Sequence, residues 1–223
     1  MTAASWLDSV SLSLEQEIGN NTYQDITSKK EVVQLHGEHL DRLNSIFSRL
    51  VAQSGRRNEV QYSLTVLRDD TINACAAPGG YVFINTGLLR FAQTDGELAG
   101  VLGHEIAHVD RRHSMQAIAR AVGMTILLQL IMEKSDSKRK KTMAAVSGVA
   151  LSLMQLGYSR EAEYQADQYG VRFMVQAGYN KRDILNFWRR MEAKAGNSKT
   201  PGIYTLFSTH PPTSERIKRI EAM

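Results

Sequence analysis

Residues 102–110 read LGHEIAHVD. His104 and His108 are four residues apart, so on a helix they stand one above the other on a single face. Gly103, Ile106, Ala107 and Val109 mark the segment as buried, and a carboxylate in such company is costly unless something partners it. Two imidazoles on one face can take one metal ion, and Glu105 then points beside the ion rather than at it. From there it can take a proton from an attacking water, which is the mechanical content of His-Glu-x-x-His. The pattern is short and recurs by chance, because a helix of buried, hydrogen-bonded histidines reads the same way.

The test lies in a third ligand, since a catalytic zinc ion has three protein ligands and one open position. His113 is nine residues beyond His104, about 180° round a continuous helix, and reads as structural or exposed. Downstream, SREAEYQADQYG (159–170) again offers two carboxylates four apart, Glu163 and Asp167. Glu163 can complete a two-histidine, one-glutamate site, and Asp167 can accept the outer N–H of a ligating histidine. The bland alternative is a solvated face with helix ion pairs among Arg160, Glu161 and Glu163. Two segments with this spacing make coincidence a poor account. His36 and His39, three apart near the N-terminus, have no further ligand nearby and carry no such reading.

Around these segments the period of the apolar residues changes. Residues 12–54 are mostly helical in pattern, with Val32, Leu35, Leu40, Leu43, Ile46, Phe47 and Leu50 at helical spacing. VQYSLTV (60–66) alternates as a half-buried strand, and TINACAAP and YVFIN follow it, divided by a PGG turn. The expectation is a meander of about three strands over 59–85. Residues 95–119 read as one helix capped by Thr94 or Asp95. The uncharged stretches 121–132 and 142–158 read as a helical hairpin with the basic run KSDSKRKK (134–141) as its loop tip. Each is short of the roughly 20 apolar residues a bilayer span needs. The hairpin is therefore core, lid or peripheral membrane contact. Helices over 159–177 and 181–195, a TPG break at 200–202, and a proline-marked loop with a short helix complete the chain.

Composition sets the outer bounds. The chain has 223 residues, 43% hydrophobic and 22% charged, enough for one compact domain over 1–223. N-terminal helices (1–58), the sheet (59–85), the helices of the site (94–195) and a C-terminal loop and helix (200–223) would be its parts. A net charge of +4 is modest, and the basic run lacks interleaved aromatics, so nucleic acid is not expected as a partner. One cysteine, Cys75, excludes an intrachain disulfide; a small buried strand residue is its simplest role. The start MTAASWLDSV shows no signal peptide. That leaves the cytoplasm, or an envelope location with the leader absent from this chain.

The sequence resembles the HtpX and CAAX-prenyl-protease type of zinc metalloendopeptidase, within the gluzincins. The resemblance rests on HEIAH (104–108), EYQAD (163–167), NACAAPGGYVFINTGLL (73–89) and THPPTSERI (209–217). It runs from about residue 60 to the C-terminus, more weakly before. It implies an α+β, mainly helical zincin-like domain with a small sheet bearing a substrate-binding edge strand, and one zinc ion per chain. It further implies zinc ligands at His104, His108 and Glu163, a general base at Glu105, and a histidine-orienting aspartate at Asp167. Asn73 and Ala74 would meet substrate backbone by strand addition. His210 and Arg216 match positions near the metal, where they would stabilise the oxyanion, or His210 would close the site as a fourth ligand. Some members carry transmembrane helices or a C-terminal tetratricopeptide domain; neither is apparent here, so a small soluble or peripheral protease is expected. The implied activity is hydrolysis of extended or misfolded polypeptide, by analogy in bacterial envelope or periplasmic quality control. The rivals are a zinc-domain holdase that does not cut, a latent enzyme, a nucleic-acid-associated metalloprotease, and a structural zinc site closed by four ligands.

Overall fold

The computed structural model describes residues 12–197, 206, 209–210 and 214–223. The TPG break and the prolines after His210 lie outside the described residues. Helices α1 (Leu12–Thr27) and α2 (Gly37–Val51) precede β1 (Ser63–Leu67), β2 (Ala74–Ala76), a 3-10 turn (Pro78–Gly80) and β3 (Tyr81–Asn85). Then come α3 (Thr86–Phe91), α4 (Asp95–Asp110), α5 (His113–Val122), α6 (Met124–Met132), α7 (Asp136–Leu156), α8 (Arg160–Gln176), α9 (Lys181–Asn197) and α10 (Ser214–Ala222). The fold is α+β and mainly helical, with one three-stranded sheet among the described residues.

The sheet is not a meander. Its order is β1-β3-β2, with β1 parallel to β3 and β2 antiparallel to it. YVFIN takes the centre because it is apolar nearly throughout, and Val82, Phe83 and Ile84 are fully buried, as a strand covered on both faces requires. The short ACA strand is left at the edge. The chain enters β3 through Gly79 and Gly80, both at positive φ, where glycine carries no steric penalty.

Helix α4 runs through the middle of the molecule and is buried from Gly96 to Val109. Thr94 caps it, accepting from the Glu97 amide at 3.1 Å. Glu97 in turn accepts from the Gln93 amide at 2.7 Å and pairs with Arg190 of α9. The single helix expected over 95–119 is broken: Arg112 is left-handed (φ 56, ψ 33) and α5 restarts at His113. Helix α8 lies against α4 at backbone contact. A Cβ on Gly103 would stand 2.9 Å from the Gly170 carbonyl oxygen, and one on Gly170 would stand 2.8 Å from the His104 amide nitrogen. Backbone cannot yield as a side chain can. Gly170→Ala is therefore expected to cost about 1–3 kcal/mol and to weaken metal binding by parting the two helices. Urea denaturation and chelator competition measure the two effects, and a variant that matches the unaltered chain in both refutes the tight crossing.

The basic run is not a loop tip. Only Glu133, Lys134 and Ser135 connect the helices, and Asp136–Lys141 form the first turns of α7, since lysine and arginine are good helix formers. Arg139 pairs with Glu17 of α1 and donates to the Leu130 carbonyl at 3.1 Å. Helices α5 and α6 meet at Gly123 with a 99° bend. Among the described residues no single helix is long and apolar enough to cross a membrane, whereas that bent pair passes on length and composition together. Leu14, Ile18, Met115, Ile118, Leu127, Leu130 and Met143 bury a second core under this hairpin, separate from the main one around α4.

Candidate metal centre

Helix α4 brings His104, Glu105 and His108; α8 brings Glu163 and Asp167; the segment after α9 brings His210, and α10 brings Arg216. All seven residues are buried, none more than 4% exposed. His104 Nε2 lies 3.0 Å from His108 Nε2, 3.2 Å from His210 Nδ1 and 3.4 Å from Glu163 Oε2. Glu163 Oε1 is 3.1 Å from His210 Nδ1 and 3.5 Å from His108 Nε2. A tetrahedral ion with bonds of about 2.0–2.1 Å holds its ligands about 3.3 Å apart, and these separations bracket that spacing. Three ring nitrogens and a carboxylate converge with too few protons to satisfy one another, a donor set that fits a metal ion.

Charge says the same. Three buried carboxyl groups, Glu105, Glu163 and Asp167, face one buried guanidinium among the described residues, Arg216, an acidic excess that suits a cation. Burial opposes a charge on His104, but hydrogen bonds to Asp167 and Glu163 outweigh it and lift that imidazole to about 9. A proton and a metal ion thus compete for the same place. Burial, then the neighbouring His104, drives His108 well below the usual imidazole range. Burial would raise Glu163, yet the facing His210 and His104 hold it well below the carboxylate range.

Outside the four converging groups, Asp167 Oδ1 is 3.0 Å from His104 Nδ1. Arg216 donates to both Asp167 oxygens at 2.6 Å and lies 3.1 Å from Glu163 Oε2. Burial pushes Asp167 up, but Arg216 and then His104 bring it below its ordinary value. Glu105 Oε1 is 3.4 Å from His210 Nε2, and among the described residues its buried Oε2 has no hydrogen-bond partner. Asn73 and Ala74 stand at the start of the edge strand, and Asn73 Oδ1 is likewise buried without a partner.

Two further neighbours line the centre, of which only Tyr158 went unread in the sequence. Tyr158 stacks on His108, ring centroids 4.4 Å apart and planes at 25°, with its hydroxyl 2.7 Å from Ser114 Oγ. Its only sequence signal is a polar aromatic between an apolar helix and the Ser159 cap of α8. His113, read as structural or exposed, is buried against His108, Nδ1 to Nδ1 2.9 Å. The break at Arg112 turns it back toward the face a continuous helix would deny it. His36 and His39 are exposed and belong to no such cluster among the described residues.

The description "Peptidase family M48" matches residues 39–223. The chain belongs to this metallopeptidase family. It is similar to the mitochondrial metalloendopeptidase OMA1 of Schizosaccharomyces pombe, 31% identical over 95% of this chain and 61% of that protein. It is also similar to OMA1 of Saccharomyces cerevisiae, 27% identical over 95% of this chain and 64% of the relative. The beta-barrel assembly-enhancing protease of Escherichia coli K12 is 28% identical over 78% of this chain and 37% of its own length. The chain spans about two fifths to two thirds of the curated relatives it matches.

Proposed function

We propose that the protein is a zinc-dependent endopeptidase that cuts extended or misfolded polypeptide, with His104, His108 and Glu163 holding the metal. The observation that carries this reading is Glu105, a buried carboxylate with one unpartnered oxygen beside three imidazole nitrogens and a second carboxylate. Zinc bound there would supply Lewis acidity to a scissile carbonyl and acidify an attacking water. Glu105 takes that water's proton and passes it to the leaving amine. Asp167 fixes His104 through Nδ1. The Arg216 guanidinium, engaged by Asp167 and Glu163, supports a role in holding those carboxylates in place of the oxyanion contact the resemblance implies. Substrate would add as a strand along β2, the sheet edge, with Asn73 Oδ1 and the backbone at Ala74 offering partners.

His210 supports a second reading of the same centre. Its Nδ1 sits where a fourth ligand would sit and its Nε2 faces Glu105, so it occupies the position an open catalytic site leaves to water and substrate. This geometry supports a latent form, with His210 able to serve as the oxyanion donor once displaced. Elemental analysis and casein cleavage of the unaltered chain and His210→Ala decide. Near-stoichiometric zinc is expected in both. Cleavage that rises in the variant marks latency, and cleavage that falls by about 10²–10³-fold marks an oxyanion donor. Zinc in neither protein overturns the reading.

The names of the relatives, mitochondrial and beta-barrel assembly-enhancing, support envelope quality control beside a membrane. Exposed Leu128, Ile131 and Met132 next to exposed Lys134, Lys138, Lys140 and Lys141 suit a peripheral contact with anionic lipid. Co-sedimentation with vesicles containing anionic lipid, weakening as salt rises, is expected; no sedimentation at low salt refutes the contact.

A further inference from the structure

We propose that His113 and Gln165 form a relay that sets the tautomer of His108 and so keeps its metal-facing nitrogen free of a proton. This rests on the metal centre proposed above. His113 Nε2 lies 2.9 Å from Gln165 Oε1, and His113 Nδ1 lies 2.9 Å from His108 Nδ1. An amide oxygen only accepts, so His113 must carry its proton on Nε2. A neutral imidazole with its proton there presents a bare Nδ1. His108 then donates from Nδ1, and its own Nε2 is left with a lone pair. That nitrogen is the one 3.0 Å from His104 Nε2 and 3.5 Å from Glu163 Oε1. The opposite amide orientation would run every proton the other way and put an N–H on His108 Nε2, where no cation could bind it.

Helix α8 therefore serves both ligand histidines. Asp167 reaches His104 directly, while Gln165, two residues earlier on the same helix, reaches His108 through His113. The left-handed turn at Arg112 makes the second arm possible, because it folds His113 back over the end of α4. One arm ends in a carboxylate and the other in a neutral amide. The two imidazoles are thus oriented alike but donate to the metal unequally. His113 and Gln165 are positioning residues, acting only through His108.

The test uses the full chain, zinc alone as the probe, and two readouts. In metal-free, 15N-histidine-labelled protein, His108 is expected as the Nδ1–H tautomer. His113→Phe, which keeps a flat ring and removes both nitrogens, should shift it toward Nε2–H and weaken zinc binding about 10–100-fold in chelator competition. Gln165→Glu keeps an acceptor and should preserve the tautomer with zinc affinity no lower than that of the unaltered chain, whereas Gln165→Met, at a half-buried position, should lose both. Unchanged His108 tautomer and unchanged zinc affinity in His113→Phe and Gln165→Met overturn the relay while leaving the metal centre standing. Failure of the unaltered chain to bind zinc overturns both.

Discussion

Glu105→Gln protein is expected to hold as much zinc as the unaltered chain and to cleave casein about 10²–10⁴-fold more slowly, the usual worth of a positioned general base. The amide matches the carboxylate in size, so α4 and its buried surroundings stay as they are. What disappears is the ability to accept a proton at Oε2, which has no hydrogen-bond partner among the described residues. Glu105 belongs to none of the four groups that converge on the metal position, so metal content should not follow activity down. Zinc-loaded Glu105→Gln that cleaves at the normal rate would falsify its assignment as the base. Loss of zinc together with activity would move Glu105 into the ligand set.

The second large effect concerns stability rather than turnover. Arg216→Met removes the guanidinium that donates to both oxygens of Asp167 and lies beside Glu163, all three groups buried. Breaking a buried ion pair from one side leaves an uncompensated charge, and the metal-free protein is expected to lose about 3–5 kcal/mol in urea denaturation. Replacing the partner as well, in Arg216→Met with Asp167→Leu, should recover part of that loss, because the Asp167 charge is no longer stranded although Glu163 still lacks the guanidinium. Metal affinity should not recover with it, since His104 then lacks its Nδ1 acceptor. A single variant as stable as the unaltered chain would show that Arg216 is not the counter-charge of these carboxylates. A double variant that binds zinc normally would remove Asp167 from the orientation of His104.

Much of this was legible in the order of residues. The spacing of His104 and His108 within one helix, and of Glu163 and Asp167 within another, follows from the helical period alone, as does the Thr94 cap. Such features are local, and the number of residues per turn decides them. The alternation of residues after Val60 likewise marks strand, although the ladder begins only at Ser63.

What the sequence could not settle depends on which segments meet. Strand order depends on which strand is covered on both faces, and that is known only once α4 has packed against the sheet; hence β3 rather than β2 at the centre. The basic run had the propensity to join α7, but its packing against α1 through Arg139 and Glu17 is a contact far apart in the chain. His113 stayed outside the converging ligands, as its spacing implied, but its contact with His108 could not be counted along a helix that one left-handed residue interrupts. Local periodicity determined which side chains share a face. The contact of Gly103 with Gly170 and the turn at Arg112 decided which faces, from helices distant in sequence, close around one point. Charge and proton placement depend on those long-range contacts, so tertiary structure alone could arrange them.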